Sequence, residues 1–224
     1  MLKKASNNTG GEIHLEYLPS TVYRDGAGKQ NFLPFIVKTL SKLTYTDTVM
    51  GVSSVKNFTY HGGHYFYDPN EVATREYAGF HEVVSVENAG ATAKTYFHQS
   101  QFAADNSASA NLGEFQDHIS KKGRVWREET YDGAGKKYAQ TLNKWENVAL
   151  GNNRNFVKLT QTIQFTYDGD ETHKDIAETY SYNDTTGNLT QKVQWGEVQG
   201  SDSGTFTDIG QDKHTTDISY ASNM

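Results

Sequence analysis

The chain of 224 residues contains no cysteine. Disulfide bonds, thiol nucleophiles and thiolate metal sites are therefore excluded. Proline is scarce, with three residues, and no apolar run approaches the ~20 residues that a membrane-spanning helix needs. No apolar stretch follows Lys3 and Lys4, so the start does not resemble a secretory signal peptide. The net charge of −6, with both signs interspersed, disfavours a nucleic-acid partner and any attraction to anionic lipid.

Glycine and aromatic residues are abundant, with 20 Gly, 14 Tyr and 11 Phe. Apolar residues alternate with polar ones in several stretches, such as Glu12–Leu18 and Phe156–Asp168, and this period of two is typical of half-buried strands. About eleven such stretches are separated by Gly- and Asn-rich turns. We therefore predict an all-β fold in which serial antiparallel β-hairpins form one long curved sheet. The predicted organisation is a β region over residues 1–100, an exposed connection over 101–122 and a second β-hairpin region over 123–224.

Four local predictions concern single elements. Phe35–Asp47 reads as one long strand, and Val72–Glu87 reads as another that is broken at Gly79 by a bulge or bend. His214–Tyr220 is the last strand candidate, and Leu112–Ile119 is a candidate for two turns of helix.

The pentapeptide Asp-Gly-Ala-Gly-Lys occurs twice, at Asp25–Lys29 and at Asp132–Lys136. Neither copy has the first glycine that a phosphate-binding loop requires, and both stand between predicted strands instead of before a helix. We interpret both copies as hairpin turns.

Two clusters have the chemistry of metal ligands. His61 and His64, with Asp68 nearby, combine imidazole and carboxylate in a pattern compatible with zinc. The alternative is that both histidines are exposed at a hairpin tip, since positions three apart on a regular strand face opposite ways. A second cluster of oxygen ligands could bind calcium, but it lacks the spacing of a calcium loop, and we expect a solvated turn there; it comprises Asp168, Asp170, Glu171 and Asp175.

No other pattern carries a specific reaction chemistry. Gly200–Gly204 has the outline of a nucleophile elbow, but its central residue is Asp202 and not serine. His81 and His98 lie on predicted strands beside aromatics, where a structural role is expected. We predict no catalytic residue, no metal and no cofactor.

Aromatic side chains form stripes that could pack across strands or offer a platform for sugar rings. We favour cross-strand packing, because aromatic residues dominate cores. The residues concerned are Trp126, Trp145, Tyr180, Tyr182 and Trp195.

The stretch from Tyr60 to Gln99 carries a resemblance to a known family. It resembles the middle region of toxin-complex B components and of virulence-plasmid B-type proteins, which lead into Tyr-Asp (RHS) repeats. The matching residues are Tyr60, Gly62-Gly63, Tyr65, Tyr67-Asp68-Pro69, Arg75–Val83 and Thr95–Gln99, with Gly11–Thr21 upstream and repeat-like turns at Tyr131–Gly135 and Tyr180–Leu189. The resemblance implies a β-sheet wall that belongs to a hollow shell enclosing a cytotoxic segment.

These observations support three functional hypotheses. The first is a non-catalytic structural segment of a secreted bacterial RHS or toxin-complex-like protein, with adjoining sheet segments or toxin-complex subunits as partners and an enclosed toxin segment as a further one. The second is a cell-surface carbohydrate- or receptor-binding module that uses exposed aromatics. An enzyme is the least favoured hypothesis, because each candidate catalytic or metal motif lacks a residue or a spacing that its chemistry requires.

Overall fold

The computed structural model describes residues 1–23, 33–66, 75–99, 118–152 and 154–221. These residues contain no α-helix and are dominated by antiparallel strands, which confirms the predicted all-β class of serial hairpins. The chain divides into two compact units. Unit 1 comprises Met1–Tyr96 and Thr130–Lys136, and unit 2 comprises Phe97–Glu129 and Lys137–Met224. The division predicted from composition, at 100 and 122, stays a prediction.

Unit 1 holds the first eight strands, except that Phe97, the last residue of the eighth, belongs to unit 2. Six of them pair in the order β1-β2-β3-β4-β7-β8, each antiparallel to its neighbour. The remaining two, β5 and β6, form a separate two-stranded sheet. The bounds are β1 Lys4–Ser6, β2 Gly11–Pro19, β3 Lys38–Asp47, β4 Val52–His61, β5 Tyr65–Phe66, β6 Glu76–Tyr77, β7 Glu82–Glu87 and β8 Thr92–Phe97.

Unit 2 is built on four long strands that follow one another as hairpins. Its strands are β9 Val125–Tyr131 (whose last two residues belong to unit 1), β10 Lys137–Gly151, β11 Arg154–Tyr167, β12 His173–Tyr182, β13 Leu189–Gly200, β14 Phe206–Asp208 and β15 His214–Asp217. Strands β9 to β13 pair in sequence order, and both β14 and β15 pair with β13. The tight β10–β11 turn places Gly151 and Asn152 at positive φ, 77° and 52°, which glycine and asparagine tolerate best.

The core of unit 2 lies on one face of β10–β13. Leu142, Ile163, Phe165, Ala177 and Val198 are each no more than 2% exposed. Tyr167, Trp195 and Phe206 pack against this cluster. The alternation predicted for Phe156–Asp168 therefore places Ile163 and Phe165 in the core.

Two strand predictions need correction. The strand expected from Phe35 begins only at Lys38, because Val37 instead serves the 3₁₀ turn at Ser20–Val22, donating its N–H to Ser20 Oγ (3.1 Å). The strand expected over Val72–Glu87 with a break at Gly79 is shorter on both sides of the break: among the described residues 75–87 only β6 and β7 are strands, and they pair with different partners, β6 with β5 and β7 with β4. The predicted break at Gly79 is confirmed, where φ is +77°.

Two shorter elements also differ from expectation. The last strand ends at Asp217 instead of Tyr220. The helix predicted over 112–119 lies outside the described residues except for His118 and Ile119, and Ile119 begins a 3₁₀ turn that ends at Lys121. Within the predicted connection 101–122, both His118 and Lys121 are buried.

The second Asp-Gly-Ala-Gly-Lys copy forms the β9–β10 turn, as predicted. One carboxylate oxygen of Asp132 accepts hydrogen bonds from the N–H groups of Ala134 (2.9 Å) and Lys136 (2.8 Å), and this fixes the loop. The first copy lies outside the described residues. In unit 1, Gly133 packs directly against the backbone of Ala89 and Gly90.

We expect Gly133→Ala to destabilise unit 1 by about 1–3 kcal/mol, because the added Cβ meets the Ala89 carbonyl oxygen, which is backbone and cannot rotate away. Chemical denaturation of the purified chain measures the loss. Ala134→Ser, at the neighbouring exposed position of the same turn, is the control and should leave stability unchanged. Equal stability of Gly133→Ala and the wild type would contradict this packing.

Candidate functional site

The histidine pair predicted as a metal candidate lies where β4 ends. His61 is the last residue of β4, and His64 pairs through its backbone, donating to Gly79 O (3.1 Å) and accepting from Ala78 N (3.0 Å). Burial lowers the pKa of His64. Asp68, the expected carboxylate ligand, lies outside the described residues. Across the part of the chain that the structure describes, no three His, Cys, Asp or Glu side chains converge to hold a metal ion.

The acidic residues considered for calcium serve separate purposes. Asp170 accepts hydrogen bonds from Thr172 N (2.7 Å) and thus shapes its own turn. Asp175 is 2% exposed and accepts from Gly200 N (2.7 Å), while its other oxygen contacts His173 Nδ1 (2.5 Å). It therefore ties the start of β12 to the end of β13. The structure does not bring the acidic residues together on one site.

The aromatic stripe of unit 2 is packed inward or covered. Trp126 is 1% exposed and lies beside His98, which is fully buried, with ring centres 6.4 Å apart. Trp145 donates to Val125 O (2.8 Å), and the Arg124 guanidinium lies 5.1 Å from its ring centre. These rings have the cross-strand packing role that the sequence predicted.

The three other stripe residues named for a sugar platform are engaged in a similar way. Lys213 Nζ lies 3.8 Å from the ring centre of Trp195, which also meets Phe206 edge-on. Burial, together with the hydrogen bond to Glu178, raises the pKa of Tyr180 to about 12. Tyr182 meets Phe156 edge-on at 5.8 Å.

An aromatic cluster organises the region around Tyr60 in unit 1. Tyr60 contacts Tyr23 at 5.4 Å and Phe80 at 5.0 Å between ring centres, and its hydroxyl donates to Leu40 O (2.9 Å). Burial, and secondarily the nearby Tyr23 and Tyr77 hydroxyls, raises the pKa of Tyr60 to about 12. The cluster continues through Tyr77 and Phe35 to Tyr65 in edge-on contacts. Rings that meet edge-on or at a tilt hold elements together but do not form a flat platform.

The most developed polar site is a buried network in unit 2. Arg127 and Glu129 are two residues apart on β9, so their side chains share one face, and each is 5% exposed. Arg127 donates to Glu129 Oε1 through both Nε (3.0 Å) and an Nη atom (2.7 Å). Lys137, at the start of β10, reaches the same oxygen at 2.9 Å. Two cations thus surround one buried carboxylate.

Gln140 and Asp202 complete this network, which we call the Glu129 network: Arg127, Glu129, Lys137, Gln140 and Asp202. The Gln140 carbonyl oxygen accepts from Lys137 (2.8 Å) and from Arg127 (3.0 Å). Its amide nitrogen donates to Asp202 Oδ1 (2.6 Å). Asp202 belongs to the Gly200–Gly204 turn, so the network fastens that turn to β9 and β10.

Within the network, Glu129 carries a fixed negative charge and is not suited to proton transfer. Burial by itself raises the pKa of Glu129, but the hydrogen bonds from Lys137 and Arg127 outweigh it and lower this pKa to about 2. Glu129 is therefore ionised at every ordinary pH and cannot act as a general acid. Burial and the nearby Asp202 carboxylate raise the pKa of Tyr167 to about 12, so this phenol stays neutral beside the network.

Sequence reasoning did not predict this network. Asp202 was considered only as part of a possible nucleophile elbow, and the structure instead makes it a hydrogen-bond acceptor for Gln140. The sequence pattern that could have indicated the network is the spacing of Arg127 and Glu129, which places opposite charges on one face of a strand. The partners from distant strands carry no local signal, because they depend on tertiary pairing.

The described fold and its polar sites define a class: an all-β segment whose buried polar groups bind strands and turns to one another. Comparison with known proteins gives a more specific result. Residues 1–106 match the family model for the insecticide toxin TcdB middle/N-terminal region. The resemblance inferred from Tyr60–Gln99 to a toxin-complex B component is thereby confirmed for that part of the chain. No curated protein matches the chain.

Two solved structures share the fold. A crystal structure of TcdB2-TccC3 without its hypervariable C-terminal region superposes with a TM-score of 0.61, and one of TcdB2-TccC3-Cdc42 with 0.63. Each is 15% identical over 89% of this chain. The chain spans only 12% of the length of those solved chains. No helix among the described residues is long and apolar enough to cross a membrane.

Proposed function

We propose that this chain is a non-catalytic structural segment of a secreted RHS- or toxin-complex-like protein. In this role it forms part of a β-sheet shell or scaffold that encloses or presents a toxin. The single observation that carries the proposal is the match of residues 1–106 to the TcdB middle/N-terminal region. The shared fold with the TcdB2-TccC3 structures, over 89% of the chain, supports it.

The contacts inside unit 2 support a mechanical role. Arg127 and Lys137 both bind Glu129 Oε1, and Asp202 accepts a hydrogen bond from Gln140. Groups held in this way stabilise strand and turn positions instead of remaining available to a substrate. A wall that holds a cargo needs strands that resist separation, and buried polar links between turn and strands provide that resistance.

The proposed partner is a subunit of the TccC3 type, with a toxin segment as enclosed cargo. The first solved neighbour is a TcdB2-TccC3 assembly and lacks a hypervariable C-terminal region. By analogy, the polypeptide that contains this chain would assemble with such a subunit outside the producing cell. Its Tyr131–Gly135 and Tyr180–Leu189 turns would then correspond to Tyr-Asp repeat turns of the shell.

Protease protection tests the proposal. The polypeptide that contains this chain is co-produced with a TccC3-type subunit, and the complex is purified and treated with a protease. We expect the two to co-elute and the C-terminal segment of the subunit to survive digestion. Ile163→Asp, which places a charge in the core of unit 2, should expose that segment to cleavage, whereas Ile176→Asp at a half-exposed position of the neighbouring strand should not.

Two outcomes would contradict the proposal. One is that the wild-type polypeptide does not associate with the subunit. The other is that the subunit segment is cleaved equally fast with and without the polypeptide. Circular dichroism of both variants measures their strand content. A variant that keeps the strand content of the wild type but no longer protects the segment has lost the wall and not its whole fold.

A further inference from the structure

The hairpin made by the end of β13 and by β14 crosses the core face of unit 2. Asp202, at its tip, accepts a hydrogen bond from Gln140 on β10 (2.6 Å), although β11 and β12 lie between β10 and β13 and separate them by about 14 Å. The carbonyl oxygen of Gly204 accepts from Gln161 Nε2 on β11 (2.8 Å). A tip that is bonded to both strands lies over the sheet and not beside it. We call residues 197–208 the flap.

The flap covers the middle of the unit 2 core. Register sets Leu142 on β10 opposite Ile163 on β11. Gln140 precedes Leu142 by two residues and Gln161 precedes Ile163 by two, so all four side chains share the core face. Because the two strands are antiparallel, the tip contacts at Gln140 and Gln161 lie on opposite sides of the Leu142–Ile163 pair. The flap tip therefore spans this pair, whose members are 2% and 0% exposed.

The base of the flap is held by a buried carboxylate. Asp175 Oδ2 accepts from the N–H of Gly200 (2.7 Å). A Cβ at Gly200 would lie 2.9 Å from the Phe165 ring and 3.1 Å from Asp175 Oδ2, so the flap backbone lies directly on the core at this point. The tip is held differently, since the Asp202 side chain is 58% exposed and water reaches its contact with Gln140.

Glycines bound the flap at both ends. Gly196 follows the bulge at Trp195 and has φ +67°, and Gly210 comes shortly after β14. The Asp212 carboxylate fits between these two glycines, because a Cβ at either one would collide with it, and it accepts from the N–H of Glu197 (3.1 Å). The backbone angles that an opening hairpin must change thus belong to residues without a side chain, and one carboxylate holds both.

We propose that the flap is a hinged lid, which opens over the Leu142–Ile163 pair while β10, β11 and β12 stay paired. The glycines at its ends are the hinges, Asp212 holds them in the closed position, and the contact of Asp202 with Gln140 fastens the tip. Opening breaks the tip and base contacts and the two strand pairs between the flap and β12, but no pair among β10, β11 and β12. This inference rests on unit 2 alone and is independent of the proposed function.

Thiol labelling of the full chain tests the proposal, because the chain has no native cysteine. Leu142→Cys places one thiol beneath the flap, where 5,5′-dithiobis(2-nitrobenzoate) reaches it only after opening. We expect labelling to be faster than global unfolding, measured on the same variant in denaturant, allows. Asp202→Ala in this background releases the tip and should raise the labelling rate about tenfold or more.

Phe156→Ala in the same background is the control. Phe156 lies at the far end of β11, where its ring meets Tyr182 at 5.8 Å, and the open flap leaves that contact intact. The substitution should lower the stability of the whole unit but leave the labelling rate of Leu142→Cys unchanged, since the closed and open states lose the same contact.

Hydrogen exchange on the cysteine-free chain gives a second readout, which also serves if Leu142→Cys does not fold. We expect the amides of residues 197–200 to exchange ahead of those of β10 and β11, and faster in Asp202→Ala but not in Phe156→Ala. Three results would overturn the proposal: a thiol that labels no faster than global unfolding allows, a labelling rate that Asp202→Ala does not raise, or exchange and labelling that Phe156→Ala accelerates as much as Asp202→Ala.

Discussion

Glu129→Gln is expected to lower the free energy of unfolding of unit 2 by about 3–5 kcal/mol at neutral pH. The substitution removes the carboxylate that Arg127 and Lys137 share. The Arg127 guanidinium, 5% exposed, then loses its closest anion and keeps the more distant and more exposed Asp202 carboxylate at 3.6 Å. Denaturant-induced unfolding, followed by tryptophan fluorescence, measures the difference. Glu128→Gln is the matched control, because the Glu128 side chain is exposed and points away from the network on the same strand. It should change stability by less than about 0.5 kcal/mol.

The pH dependence of this loss of stability shows whether the negative charge of Glu129 or only the fit of its side chain stabilises the network. The pKa of Glu129 is about 2 in the folded chain, compared with an ordinary value of 4.5. Its stabilising contribution is therefore complete above about pH 4.5 and disappears as the pH falls toward 2. We expect the gap in stability between wild type and Glu129→Gln to narrow across that window. A gap that stays constant from pH 5 to about 2.5 would show that the ionised carboxylate is not what stabilises the network.

Ile163→Ala is expected to destabilise unit 2 by about 2–5 kcal/mol. Ile163 is fully buried among Phe165, Leu142 and Val198, so the truncation removes apolar contacts and leaves a cavity that the surrounding strands fill only in part. The two-state transition in guanidinium chloride, with an unchanged slope, gives the value.

Ile176→Ala is the matched control for this substitution. The two isoleucines lie on neighbouring strands, with Ile163 opposite Ala177, but Ile176 is 49% exposed. We expect a loss of about 1 kcal/mol or less for Ile176→Ala. Equal losses at the two positions would place the core on the other face of the sheet and contradict the register.

The period-two pattern was enough to predict the class of fold and many of the strands. It succeeded at Ile163 and Phe165, where large apolar residues occupy one face. It was less informative on β12, where the large apolar residues Ile176, Tyr180 and Tyr182 alternate with polar ones and would predict that their face is the buried one. The most buried positions of that strand are Asp175 and Ala177 on the other face. A small residue and an acid carry no hydrophobic signal, so only the pairing with β11 and β13 reveals their burial.

Short strands and contacts between residues far apart in sequence also limit what the sequence pattern can predict. β5 and β6 have two residues each and pair with one another, so no alternation could separate β6 from the longer strand expected over Val72–Glu87. The bulge at Trp195, where Glu178 pairs with Gln194 and Ala177 with Gly196, depends on Gly196 at φ +67°. Asp212 occupies the space that a side chain at Gly196 would need. Such a close approach between distant residues is invisible in a local pattern.

The candidate sites illustrate the same distinction. Local chemistry was enough to predict the turn at Asp132–Lys136, because Asp132 caps its own loop. The Glu129 network joins β9, β10 and the Gly200–Gly204 turn, which are far apart in sequence. Only the hairpin order brings these residues together, so spacing along the chain could indicate no more than the Arg127–Glu129 pair.

Electron cryomicroscopy of the polypeptide that contains this chain, assembled with a TccC3-type subunit, tests the central claim most directly. The account predicts that β9 to β13 lie within the protein wall around the cargo, with Arg127 and Lys137 still bound to Glu129 and no ligand between them. Density in which this chain stands apart from the wall, or in which those side chains turn away from one another to hold a bound molecule, would contradict it.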